Sequence, residues 1–89
     1  MTMQETSDDY GKVVAVLDPR WRVVLCRDSI QWIIQRRLNG DAARPWRGVH
    51  YCATKKALIR LCVDEKPQVP ANVMATLDGL PLMARKTAA

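Results

Sequence analysis

Residues 21–37 read Trp21-Arg22-Val23-Val24-Leu25-Cys26-Arg27-Asp28-Ser29-Ile30-Gln31-Trp32-Ile33-Ile34-Gln35-Arg36-Arg37. Two runs of β-branched and aromatic residues flank the polar break Asp28-Ser29, which is the pattern of a β-hairpin. A two-residue turn there sets Arg27 opposite Ile30. Each step outward then matches Leu25 with Trp32, Val23 with Ile34 and Trp21 with Arg36 on one face. Cys26–Gln31, Val24–Ile33 and Arg22–Gln35 share the other face, because side chains alternate along a strand. Asp-Ser is a weaker turn than Asn-Gly, so a longer loop stays open as the alternative. The first face is a core face, whereas the second mixes Arg22, Gln31, Gln35 and Arg37 with Val24 and Ile33.

Upstream, Val13-Val14-Ala15-Val16-Leu17 is a continuous β-rich run that Asp18-Pro19 must end, since proline has no N–H for a ladder. It reads as an edge strand, although periodicity alone leaves a short helical turn open. Residues 1–9 are polar and acidic, with Glu5, Asp8 and Asp9, and are expected to be a disordered, solvated tail. Downstream, residues 38–45 form a loop by their Asn-Gly and Pro content, and Trp46 to Ala53 is a further strand. Thr54 suits a helix N-cap. The helix runs to about Val63 and buries Ala57, Leu58, Leu61 and Cys62, with Lys55, Lys56 and Arg60 toward water.

Lys66-Pro67-Gln68-Val69-Pro70 is an extended linker. Val73, Leu77 and Leu80 then recur at helical spacing in a short second helix, Ala71 to Asp78, stopped by Gly79 and Pro81. The expected fold is α+β: a small antiparallel sheet of three or four strands packed against one main helix and a short second helix. A single domain spans residues 10–82, and residues 83–89 form a flexible C-terminal tail.

Eighty-nine residues at 48% hydrophobic content support one core. No apolar run approaches the roughly 18 residues of a membrane span, and the start lacks the pattern of a signal peptide, so a cytoplasmic setting is expected. Three cysteines without a C-x-x-C spacing point to reduced thiols packed as small hydrophobes. His50 and Cys52 share a strand face and could join Cys26 or Cys62 around zinc, but structural zinc brings its ligands in close pairs that these spacings do not make. Phosphate-loop, dinucleotide, metalloprotease and calcium-loop motifs are missing from the sequence. Most carboxylates lie at the ends of the chain, away from the single histidine. No enzyme, metal or cofactor is expected.

Charge is the most informative feature. Ten of the fourteen basic residues fall between Arg20 and Arg60 with only Asp28 and Asp41 against them, a net of +8 in a chain of +5. Eight of the ten are arginines, whose planar fork suits phosphate oxygens and guanine edges and can stack on Trp46 between Arg44 and Arg47. Gln31 and Gln35 can read adenine edges. Lys55 and Lys56 occupy a first helical turn that normally takes acids, at a cost of about 0.3–1 kcal/mol that a phosphate beside the helix N–H groups would offset. Exposed lysines there are also tolerated in salt.

The first reading is therefore a non-enzymatic DNA-binding accessory protein, with Arg22, Gln31, Gln35, Arg37, Arg44, Trp46, Arg47, Lys55 and Lys56 as contacts. The second is a small protein-binding regulator or inhibitor anchored on Trp46, Arg44 and Arg47. A patch that only solubilises is the third. If Arg22 and Gln35 face outward, truncating both should spare stability, whereas Trp32→Ala should not.

The run Trp21 to Arg37, followed by a W…Y-C-A-T-K-K-A-L-I-R pattern, is similar to small uncharacterised proteins predicted in alphaproteobacterial genomes and their mobile elements. That likeness covers residues 21–62 and implies a bacterial cytosolic setting without an activity. Three antiparallel strands followed by a helix also resemble, in layout, the AP2-type and integrase arm-binding domains. There the sheet enters the DNA major groove, which implies a sheet face that contacts DNA.

Overall fold

A computed structural model describes residues 4–39 and 45–85 of the chain. Strands β1 (Val13–Asp18), β2 (Trp21–Leu25), β3 (Trp32–Arg37) and β4 (Trp46–Cys52) form one antiparallel sheet in chain order. Helices α1 (Lys55–Glu65) and α2 (Ala71–Asp78) follow, giving the α+β architecture expected, with β1 as an edge strand.

The central hairpin has the anticipated register, Leu25 to Trp32, Val23 to Ile34 and Trp21 to Arg36. Its turn is longer than two residues. Cys26 N–H donates to the Gln31 carbonyl at 2.9 Å around the four residues 27–30, and Ser29 adopts φ 58° while its N–H reaches the Cys26 carbonyl. Two- and four-residue loops centred on the same dipeptide preserve the same cross-strand pairs, so the register does not depend on which one forms.

One face of the sheet carries the main core, in which Ala15, Leu17, Val23, Trp32, Ile34 and Cys52 meet Leu58 and Cys62 of α1 and Leu77 of α2. Thr54 caps α1 as its sequence indicates, accepting from the Ala57 N–H at 3.3 Å. Pro70, the last residue of the expected linker, takes the N-cap position of α2. The Lys66 ammonium lies 2.6 Å from Asp18 and ties the end of α1 to β1. Burial raises the Asp18 pKa, but Lys66 and the N–H groups of Arg20 and Trp21 outweigh it, and the net direction is down. Among the described residues no helix is long and apolar enough to cross a membrane.

Both terminal segments depart from expectation. Residues 4–9 lie against the second face of the sheet, and Tyr10 joins Val24, Cys26 and Ile33 in a second buried cluster. A polar segment can dock there because its backbone carbonyls find donors on the sheet. At the other end Met83 bridges Thr54, Ala84 is buried, and the Ala84 N–H donates to the Ala53 carbonyl at 2.9 Å. Residues 1–3 of the expected acidic tail and 86–89 of the expected flexible C-terminal tail lie outside the described residues, as do residues 40–44 of the 38–45 loop.

Strand β4 is irregular where it matters most. Ile34 pairs with His50 but Gln35 pairs with Gly48, so Val49 is an inserted residue. A bulge of this kind reverses the alternation beyond it. Cys52 and His50 lie on the helix side, whereas Trp46 and Gly48 turn to the opposite face and Arg47 to the helix side.

Candidate functional site

On the face away from the helices, Arg22 is the centre of a closed polar network. Its Nε donates to Gln35 Oε1 at 2.7 Å, and its terminal nitrogens donate to three backbone carbonyls: Ser7 at 2.8 Å, Glu5 at 3.2 Å and Asp8 at 3.4 Å. Gln35 Nε2 donates to the same Glu5 carbonyl at 2.8 Å. The guanidinium carbon sits 4.3 Å from the centroid of the Trp46 ring, within cation–π range. Burial lowers the pKa of Arg22, while the nearby Asp8 carboxylate supports its charge.

The acidic segment completes the cover. Asp8 Oδ1 accepts from Arg37 at 2.6 Å and from the Trp46 indole at 3.0 Å, and the Trp46 backbone N–H donates to the Thr6 carbonyl at 3.1 Å. The indole hydrogen bond first, and the Arg37 guanidinium next, hold the Asp8 carboxyl below its ordinary range. Glu5 accepts from the Arg27 N–H at 2.6 Å. Tyr10 ends the segment, its hydroxyl donating to the Leu25 carbonyl at 2.7 Å, and burial pushes the phenol up to about 12.

This arrangement corrects several expected contacts. Arg22 and Gln35 are only 3% and 1% exposed, so neither can reach a nucleic-acid partner while residues 4–9 are docked. Trp46, at 6%, stacks with Arg22 and Arg37, and it offers no exposed anchor for a protein partner. Arg37 is engaged by Asp8. Gln31 is half-buried beside the hairpin turn and is not part of the Arg22 network. Arg44 lies outside the described residues.

The start of α1 is also less open than its sequence implies. Lys55 Nζ donates to the Asp78 carbonyl at 2.9 Å, neutralising the C-terminal end of α2, where a cation is favoured. The Lys55 N–H donates to the Leu82 carbonyl and the Ala57 N–H to Thr54, so two of the donors a phosphate would use are occupied. Lys56 remains exposed.

What the sequence reading missed is a row on the helix side of the sheet. Arg36 and Arg47 are direct cross-strand partners, and Trp21 is the partner of Arg36 on its other side. Both arginines are exposed, and neither side chain makes a hydrogen bond or ion pair with another described residue. Leu38 and Val49 line the same shallow depression and are partly exposed. Only the Val49 bulge brings Arg47 to this side, and a bulge leaves no mark in a hydrophobic pattern.

Cysteines offer no reactive centre here. Cys26 belongs to the cluster on one face of the sheet, Cys52 and Cys62 to the core on the other. Burial raises the Cys52 thiol and pushes Cys62 up to about 12. His50 Nε2 is paired with Glu65 Oε1 at 2.7 Å, and among the described residues no three potential ligands gather around a metal position. No protein-family model matches this chain, and no curated protein or solved structure matches it.

Proposed function

We propose that the protein binds nucleic acid through the phosphate backbone, using the Arg36–Arg47 row on the helix side of the sheet. The carrying observation is the placement of two exposed arginines directly opposite each other on β3 and β4 without a partner among the described residues. Like charges in that position destabilise a sheet, and an anion shared between two guanidinium forks removes the penalty. Trp21 beside Arg36, with Leu38 and Val49, gives the row an apolar rim on which a sugar or base can rest. Arg20, held by Asn39 at 2.6 Å, extends the basic surface at the start of β2.

The reading differs from a sheet inserted into the major groove, because the polar face that would do the inserting is covered by residues 4–9. It favours contacts to phosphate over reading of base edges.

A fluorescent duplex titrated with the protein tests it. Three phosphate contacts by Arg20, Arg36 and Arg47 imply a salt slope near −2.7, so affinity should fall about 40-fold between about 50 and 200 mM salt. Arg36→Ala with Arg47→Ala should reduce that slope by about 2. Absence of binding at the lower salt sinks the nucleic-acid reading, and a double variant that binds like the parent sinks the row.

A further inference from the structure

Residues 4–9 have the properties of a ligand bound in cis. The segment Gln4-Glu5-Thr6-Ser7-Asp8-Asp9 has no aliphatic or aromatic side chain to bury, and Asp8 and Asp9 are exposed. Its attachment to the sheet is polar throughout, made by the carbonyls of Glu5, Thr6, Ser7 and Asp8 and by the carboxylates of Glu5 and Asp8. Against it the sheet presents converging donors: the Arg22 fork, the Gln35 amide, Arg37, the Trp46 indole and the Trp46 backbone N–H. The segment is folded into two successive turns, with the Ser7 N–H donating to the Gln4 carbonyl at 2.9 Å and the Tyr10 N–H to the Ser7 carbonyl at 3.3 Å, which points its carbonyls at the sheet. Backbone carbonyls are common to every peptide, so this face selects for a turned, acidic main chain, not for a particular side-chain sequence. Apolar anchoring begins only at Tyr10, and regions with few buried apolar contacts open at low free energy.

We propose that the face formed by Arg22, Gln35, Arg37 and Trp46 is a binding site for an acidic peptide segment of a partner protein folded into consecutive turns, a site that residues 4–9 occupy until they are displaced. Tyr10 stays in its cluster as the segment lifts, so the fold need not open. The donors uncovered are polar and meet water, and the second apolar cluster of Tyr10, Val24, Cys26 and Ile33 remains closed. A partner supplying carbonyls at the same positions, a carboxylate toward Arg37 and a second carboxylate toward the Arg27 N–H regains the same bonds.

The test uses the full chain and a labelled synthetic peptide of residues 1–10 as probe. Glu5→Lys with Asp8→Lys weakens the docked segment from within, because the ammonium introduced at position 8 repels Arg37 where the carboxylate had paired with it. Asp64→Lys with Asp78→Lys changes net charge equally and leaves the segment docked. The first variant should bind the probe at least about tenfold tighter than the second, and Arg37→Gln added to it should remove most of that gain. Equal affinities overturn the proposal. A gain toward a single-stranded oligonucleotide but not toward the peptide also overturns it, and makes the face a site for nucleic acid.

Hydrogen exchange on the unaltered chain gives an independent readout. The Trp46 backbone N–H, bonded to the Thr6 carbonyl, should exchange through a local opening faster than the ladder amides of β2 and β3. Exchange at the rate of global unfolding shows the segment to be an inseparable part of the core and refutes the proposal.

Discussion

Replacing Arg22 with alanine distinguishes a buried keystone from a surface contact. The substitution removes four hydrogen bonds from a charged donor and the packing of a guanidinium on Trp46. Hydrogen bonds to charged groups contribute about 1.5–3 kcal/mol each when deleted singly, but the four do not add, because they hold one segment. Once that segment lifts, the carbonyls of Glu5, Ser7 and Asp8 are hydrated, so the loss is capped near the free energy of its docking together with the contacts to Gln35 and Trp46. That places the cost at about 2–3 kcal/mol, or a fall in Tm of about 8–24 °C for a domain of this size.

Thermal melts followed by circular dichroism measure the loss directly. Urea unfolding should also show a smaller m value, because a variant with its segment already undocked exposes less new surface. Gln35→Ala in the same chain should add less than its individual effect, since both residues hold the Glu5 carbonyl. Arg22→Lys should rescue little, for an ammonium cannot span Gln35 and three carbonyls as a planar fork does. A melt of Arg22→Ala within about 2 °C of the parent refutes the reasoning, as does full rescue by lysine.

Trp32→Ala, at the centre of the main core, should cost about 3–5 kcal/mol in urea unfolding; a variant as stable as the parent would contradict the placement of Trp32 opposite Leu25 and Cys52. Asp8 is held below its ordinary pKa of 3.8, so its contribution to docking is complete above that pH and is lost as pH falls through the lower folded value. The Trp46 indole N–H resonance should accordingly hold steady down to about pH 4 and shift only in more acid solution; a shift centred near neutrality would rule out the Asp8 contact. All three thiols are buried, and Cys62 is pushed up to about 12, so native protein at mild alkaline pH should resist Ellman's reagent until it unfolds. Prompt titration of any one thiol would show that its cluster is open.

The hairpin was legible because its information is local: two β-rich runs and a short break fix a parity that survives a change of loop length. The helices were legible for a similar reason, through Thr54, Pro70, Gly79 and the spacing of Leu58, Cys62 and Leu77. Sorting Arg22 and Gln35 onto a mixed face was also correct, yet the reason for the mixture was not visible. Their partners are main-chain carbonyls of residues 5–8, and a sequence does not mark which carbonyls will be used. The Val49 bulge is silent in the same way, and it is what sets Arg47 opposite Arg36 on the helix side. Lys55 looked like a phosphate contact because its partner, the Asp78 carbonyl, comes from a helix end 23 residues away.

Chain-order pairing of the four strands bears on how the molecule forms. Each strand meets its immediate sequence neighbour, so the sheet can grow outward from the 26–31 turn with only short loops to close, the condition for rapid folding. The contacts of residues 4–9 are of another kind, spanning 30 residues from Glu5 to Gln35 and 38 from Asp8 to Trp46. Their loop-closure entropy is repaid only after β3 and the start of β4 are in place. On a ribosome residues 4–9 must therefore wait for the middle of the chain, and the donors of Arg22 and Gln35 face water until that segment returns.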